Sequence, residues 1–140
     1  MSSYNCVLLV DDDGVTNFIN HRLVKKLNLS TRIESAINGA DALNFLKEFA
    51  LKNENKGPEL IFLDVNMPIL NGFEFVSYFE KLELKNKEKI QLIMLTSSMH
   101  PKVVTKIPED IKVTYLEKPL TEEKLIDLLK IKPKTAENNS

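Results

Sequence analysis

The residue pattern predicts an α/β domain built on a parallel sheet, and three observations carry that prediction. Strand-like and helix-like stretches alternate five times along the chain, the order expected when parallel strands are joined by right-handed crossovers. The stretches at 6–10 and 60–63 are unbroken apolar runs, as strands buried on both faces must be. Four of the five predicted strands deliver a polar group at the carboxyl end: Asp11 and Asp12, Asp64, Thr96, and Lys118. Parallel strands bring all those ends to one edge of the sheet. In open sheets, ligands bind at that edge, where the strand order reverses.

Residues 6–10 form the first strand, and Asp11, Asp12 and Asp13 follow it. Three adjacent acids repel one another, so the cluster calls for a cation or a basic side chain, although a solvated acidic loop would also fit. From Gly14, the residues Val15, Phe18, Ile19, Leu23 and Leu27 fall on one helical face, which is expected to be the buried one. Asn17, Asn20, His21, Lys25 and Lys26 fall elsewhere, and this helix ends near Asn28. Residues 31–36 alternate as a short strand. Asn38 then caps a helix over 39–53 with Ala42, Leu43, Leu46, Phe49 and Ala50 facing inward. A polar loop closes on Gly57 and Pro58, and the buried strand that follows ends at Asp64.

The spacing of Asn71 and Glu74 predicts a capping pair for a third helix carrying Phe73, Phe75, Val76, Phe79 and Leu82. A charged connector over 85–89 leads to a strand at 90–95 ending in Thr96, Ser97 and Ser98. Pro101 and Pro108 leave room only for a short helix over 102–107. The last strand, 111–116, runs into Glu117, Lys118 and Pro119. Thr121 caps a final helix that buries Leu125, Ile126, Leu128 and Leu129. One domain over residues 1–131 is expected, with a polar disordered tail over 132–140.

Composition narrows the function. A chain of 140 residues fits one domain without staples and leaves no room for a second output domain. With 43% hydrophobic and 28% charged residues and a formal net charge of -1, it carries no electrostatic footprint for nucleic acid or an anionic membrane. Cys6, the single cysteine, opens an apolar run and reads as a small buried hydrophobe in a reducing, cytoplasmic setting. No stretch is long enough for a signal peptide or a membrane span.

Carboxylates, one hydroxyl and one lysine gathered at a sheet edge are what an Mg2+-dependent phosphoryl site requires. Mg2+ takes one or two carboxylates plus phosphate oxygens, and lysine offers a point charge to the phosphate. The ordered set Val10-Asp11-Asp12, Leu63-Asp64-Val65-Asn66-Met67-Pro68 with Asn71-Gly72, Leu95-Thr96-Ser97 and Lys118-Pro119 resembles the signatures of the response regulator receiver domain (CheY-like) of two-component signalling. The resemblance implies a flavodoxin-like, doubly wound five-stranded parallel sheet of order 2-1-3-4-5 with helices on both faces. It implies that Asp64 accepts a phosphoryl group from a histidine kinase or a histidine phosphotransfer protein. Asp12, Asp64 and the backbone carbonyl of Asn66 would hold Mg2+, with Asp11 acting through water. Thr96 and Lys118 would contact the acyl phosphate, and Tyr115 would be the aromatic switch. Such a domain catalyses only its own phosphorylation and dephosphorylation, and its output goes to a downstream protein.

Two features depart from the family pattern: the polar loop before Pro58 is long, and little fourth helix remains between Pro101 and Pro108. A phosphorelay intermediate is the nearest alternative function. A second is a haloacid-dehalogenase-like phosphatase, since Asp11-Asp12-Asp13-Gly14-Val15-Thr16 resembles that family's nucleophile loop with one residue displaced. It would make Asp11 the nucleophile and Asp13 the acid/base. A pseudo-receiver that only scaffolds is the third.

Overall fold

The computed structural model describes residues 4–52, 57–85, 87–100, 107 and 111–131. The elements run β1 (Val7–Val10), α1 (Gly14–Lys26), β2 (Ile33–Ala36), α2 (Gly39–Lys52), β3 (Leu60–Asp64), α3 (Gly72–Lys81), a 3-10 turn (Lys87–Lys89), β4 (Gln91–Thr96), β5 (Thr114–Glu117) and α4 (Glu122–Leu129). The expected helix over 102–107 falls outside the described residues apart from Ile107, as does the tail over 132–140.

All strands pair in parallel in the order β2-β1-β3-β4-β5. Strand residues alternate between two cores, as the two-residue period of a strand requires. Leu8, Val10, Ile61, Leu63, Leu92 and Met94 pack with Ala42, Leu46, Phe75 and Phe79 of α2 and α3. Val7, Leu9, Leu60, Phe62, Ile93 and Leu95 pack with Val24 of α1 and Leu125 of α4 on the other face. Every residue of β3 is buried, so its unbroken apolar run is the cost-free choice for a central strand. The Asp64 carboxylate interrupts that run at its end.

Local chemistry sets the boundaries. Asn38 Oδ1 accepts from the Asp41 N–H and starts α2. Asn71 and Glu74 form a complete capping box at α3, and the Thr121 hydroxyl accepts from the Lys124 N–H at α4. Strand β2 begins two residues later than the pattern predicts, because the Ser30 hydroxyl bonds both the N–H and the C=O of Arg32 in a local turn. Strand β5 begins at Thr114 rather than 111 and ends at Glu117, although Ile111 and Val113 still pack against the core. On α2, Ala50 is exposed, not inward as expected.

The larger correction is α1. Its buried residues are Asn17, Asn20 and Val24, while Val15, Phe18 and Ile19 are 66%, 62% and 55% exposed. Asn17 explains the rotation. Its Nδ2 donates to the Asp11 carbonyl at 2.9 Å and to the Ala36 carbonyl at 3.3 Å, tying together the carboxyl ends of β1 and β2. The Asp11 N–H already serves the Ala36 carbonyl at 3.1 Å, so the clamp matters most at the Asp11 carbonyl, where a buried group without a partner costs about 1–3 kcal/mol.

Candidate functional site

The carboxyl ends of β1, β3, β4 and β5 converge on one cleft at the sheet edge. Sheet order reverses between β1 and β3, so Asp11 and Asp64 flank the switch point. Both are buried, at 3% and 4% exposure, whereas Asp12 lies at the open mouth. Oxygens of Asp11, Asp12 and Asp64 can all lie within 4.8 Å of one another. Lys118 Nζ sits 2.8 Å from Asp64 Oδ1 and 3.7 Å from Asp11 Oδ2.

The three acids divide their labour. The Asp13 carboxylate accepts from the Val15 N–H and from the Thr16 hydroxyl, so it serves as the N-cap of α1. Asp11 Oδ1 accepts from the Asp13 N–H at 2.9 Å, while Asp11 Oδ2 is buried with no hydrogen-bond partner among the described residues. An Asp directly before a helical pattern is an N-cap signal, and it separates Asp13 from its two neighbours.

Electrostatics leave the cleft short of positive charge. Burial pushes the Asp11 carboxyl above its ordinary value, the Asp13 N–H and the Lys118 charge pull it down, and the charges of Asp64 and Asp12 add to the rise. Burial pulls the Lys118 ammonium down, yet the Asp64 hydrogen bond and the charges of Asp64 and Asp11 outweigh it, and the group lies above its ordinary value. Three carboxylates face one lysine here. Hard oxygen donors, an Asp11 oxygen whose partner is a Lys118 ammonium as far as 3.7 Å away, and an exposed Asp12 fit a divalent cation such as Mg2+.

The remaining predicted residues surround this centre. The exposed Asn66 gives its N–H to Asp64 Oδ1 at 3.2 Å. Thr96 is 3% exposed, and its hydroxyl bonds the C=O and N–H of Ser98 at 3.0 and 3.1 Å rather than Asp64. Tyr115 pairs with Met94 in the register of β5 on β4 and packs half-buried on the core, with its hydroxyl buried and unpartnered among the described residues. Burial pushes its phenol upward.

Two contributors escaped the sequence reading. Asn17 holds the Asp11 carbonyl, and a polar residue on a helix gives no sign of facing inward. Gly72 approaches so closely that a Cβ would meet the Asp64 carbonyl oxygen at 2.9 Å and Met94 Cε at 2.8 Å. The sequence marks the position only as part of the family signature and the start of a capped helix.

A family model for the response regulator receiver domain matches residues 7–130. The chain is 33% identical to a two-component response regulator from Cytophaga hutchinsonii, whose crystal structure superposes with a TM-score of 0.77 over 89% of this chain and 93% of that one. The chemotaxis protein CheY4 of Vibrio cholerae, at 24% identity and a TM-score of 0.70 over 91% of this chain and 97% of that one, shares the fold. Among curated proteins, the probable transcriptional regulator ycf29 of Porphyra purpurea is 32% identical over 91% of this chain and 56% of its own length. The sensor histidine kinase CheAY of Helicobacter pylori is 30% identical over 89% of this chain and 14% of its own. The chain thus spans about half the length, or less, of the curated relatives named first. Among the described residues, no helix is long and apolar enough to cross a membrane.

Proposed function

The chain belongs to the response regulator receiver domain family, and on that premise we propose that it is a signalling switch phosphorylated on Asp64. The observation that carries the reading is the ion pair of Lys118 with a buried Asp64, inside a cluster of three carboxylates. Receiver domains are signalling modules rather than enzymes in their own right, and the chemistry proposed is a single group transfer. An Asp64 oxygen attacks phosphorus in line, the bond from phosphorus to the donor nitrogen breaks, and the departing imidazole takes up a proton. A mixed anhydride remains on Asp64.

Asp12, Asp64 and the Asn66 carbonyl would hold Mg2+, with Asp11 acting through water. The cation supplies charge neutralisation for the incoming phosphoryl oxygens. Lys118 is the resident cation of the cleft and neutralises one further oxygen. Asp64 starts poorly solvated and oriented by Lys118 and the Asn66 N–H, so little reorganisation precedes attack. Thr96 must exchange its Ser98 bonds for the phosphoryl oxygens. That exchange draws it toward Asp64 and opens space for Tyr115, whose orphaned hydroxyl leaves the present rotamer held by packing alone.

The partner on the input side is a histidine kinase or a histidine phosphotransfer protein, met in the cytoplasm. The exposed Val15, Phe18 and Ile19 begin two residues after the Asp13 cap and give such a partner an apolar ledge beside the acceptor. On the output side we infer a protein contact built around Tyr115. Neither nucleic acid nor membrane belongs to this reading, given a net charge of -1. The Asp13 carboxylate is engaged as a helix cap, which counts against its use as the acid/base of the phosphatase alternative.

The test is to load the protein with acetyl phosphate and Mg2+ and present it both to histidine phosphotransfer proteins and to candidate binding partners. A phosphorylation-dependent complex supports the switch. Rapid reversible transfer with no such complex would replace it with a relay.

A further inference from the structure

Lys124 occupies the third position of α4, where a cation opposes the helix dipole, and Glu122 and Glu123 beside it are the residue types favoured there. Its side chain has another partner. Pointing back toward the helix start, as helical side chains do, Lys124 Nζ donates to the Glu117 carbonyl at 2.6 Å and to the Pro119 carbonyl at 2.8 Å. Those two carbonyls flank Lys118.

The Glu117 C=O and the Lys118 N–H belong to one trans peptide and point in opposite directions. The N–H donates to the Thr96 carbonyl on β4 at 2.7 Å, so the C=O faces away from β4, where β5 has no neighbouring strand among the described residues. Lys124 fills that place. The peptide that launches Lys118 is held by β4 on one side and by an ammonium from α4 on the other. A cation on its carbonyl also polarises the unit and strengthens the opposite N–H bond.

We propose that Lys124 is a positioning residue for Lys118, fixing the backbone from which the Lys118 ammonium meets Asp64. The inference rests on the reading of Asp64 as phosphoryl acceptor. It also gives α4 a direct mechanical link to the site, because any movement of Lys118 toward a bound phosphoryl group pulls on carbonyls that α4 holds.

The test compares Lys124→Met, Lys124→Arg and Lys26→Met in the full chain. Lys26 is the control: its Nζ pairs with Glu122 Oε2 at 3.0 Å and ties the start of α4 to α1 without touching residues 117–119. Two quantities are read, the initial rate of Asp64 labelling by acetyl phosphate with Mg2+ and the amide resonance of Lys118 in 15N-labelled protein. Lys124→Met should move the Lys118 amide proton upfield and slow labelling about tenfold, within the range that misplacing a reacting group by under 1 Å costs. Lys124→Arg should recover most of both, since its fork of N–H donors can meet two carbonyls. Lys26→Met should change neither.

Labelling at the wild-type rate in Lys124→Met would overturn the positioning role, and so would an equal effect in Lys26→Met, which would mark a loosened helix. Wild-type protein that took no label would instead remove the acceptor reading, leaving the Lys118 amide to decide the clamp alone.

Discussion

The fold raises both Asp11 and Lys118, which penalises the charged carboxylate and favours the charged ammonium. The fold raises the Asp11 carboxyl, so the folded state keeps its proton to a higher pH than the unfolded chain does. Stability therefore falls as pH rises from the unfolded value through the raised one, and the full penalty stands above the raised value. Asp11→Asn removes that penalty. In metal-free buffer it should be more stable than wild type at pH 7, and the difference should vanish in urea melts below the ordinary carboxylate range. A constant difference at all pH values would contradict the electrostatic origin. Lys118 is likewise raised, and its contribution is present below its ordinary value and lost as pH climbs through the folded one. Lys118→Ala should cost about 1.5–3 kcal/mol at pH 7, the usual worth of a hydrogen bond to a charged group. It should still take label slowly, yet bind an output partner no better after phosphorylation. Equal partner binding by phosphorylated wild type and mutant would refute the coupling. These site residues were legible in the sequence because each sits at a strand end. The separate task of Asp13 also has a signal, an Asp directly before a helical pattern, which reading the three acids as one cluster passes over.

Elements differ in how far their sequences specify them. The capped helices α2, α3 and α4 start where Asn38, Asn71 and Thr121 predict, because a cap is a local bond between near neighbours. Helix α1 obeys a distant demand instead. The Asp11 carbonyl at the end of β1 takes the Asn17 amide, which also adds a second donor to the Ala36 carbonyl, and the apolar stripe of Val15, Phe18 and Ile19 turns outward. Strands β2 and β5 are displaced by a local Ser30 turn and by pairing to β4, neither of which a hydrophobic pattern encodes. The start of α3 carries a sharper prediction. Gly72→Ala would press a Cβ against the Asp64 carbonyl oxygen and Val65 Cα, which are main chain and cannot step aside. It should destabilise the protein by about 1–3 kcal/mol, the typical cost of overpacking, and slow labelling of Asp64 as well. A neutral effect in a thermal melt would show that α3 can shift away from β3 freely.

Across the molecule, the sheet connects the proposed acceptor Asp64 to Tyr115 on the outer strand. The parallel order 2-1-3-4-5 was legible because four ordered motifs resembled one family, and a family carries its topology with it. What stayed hidden was the arrangement of the two proposed switch residues, with Thr96 bonded to Ser98 and the Tyr115 hydroxyl buried without a hydrogen-bond partner among the described residues. Allosteric couplings are typically ~1–3 kcal/mol, so phosphorylation should raise partner affinity roughly 5- to 150-fold, with partial binding beforehand. Tyr115→Ala should cut that gain while leaving Asp64 labelling intact, as titrations of both forms would show. All of this depends on which carboxylate takes the phosphoryl group. The direct measurement is to load the protein with acetyl phosphate and Mg2+, reduce the acyl phosphate with borohydride, and locate the resulting homoserine by peptide mass spectrometry. Homoserine at position 64, absent when Mg2+ is withheld, is the predicted result; homoserine at position 11, or at no position, would contradict it.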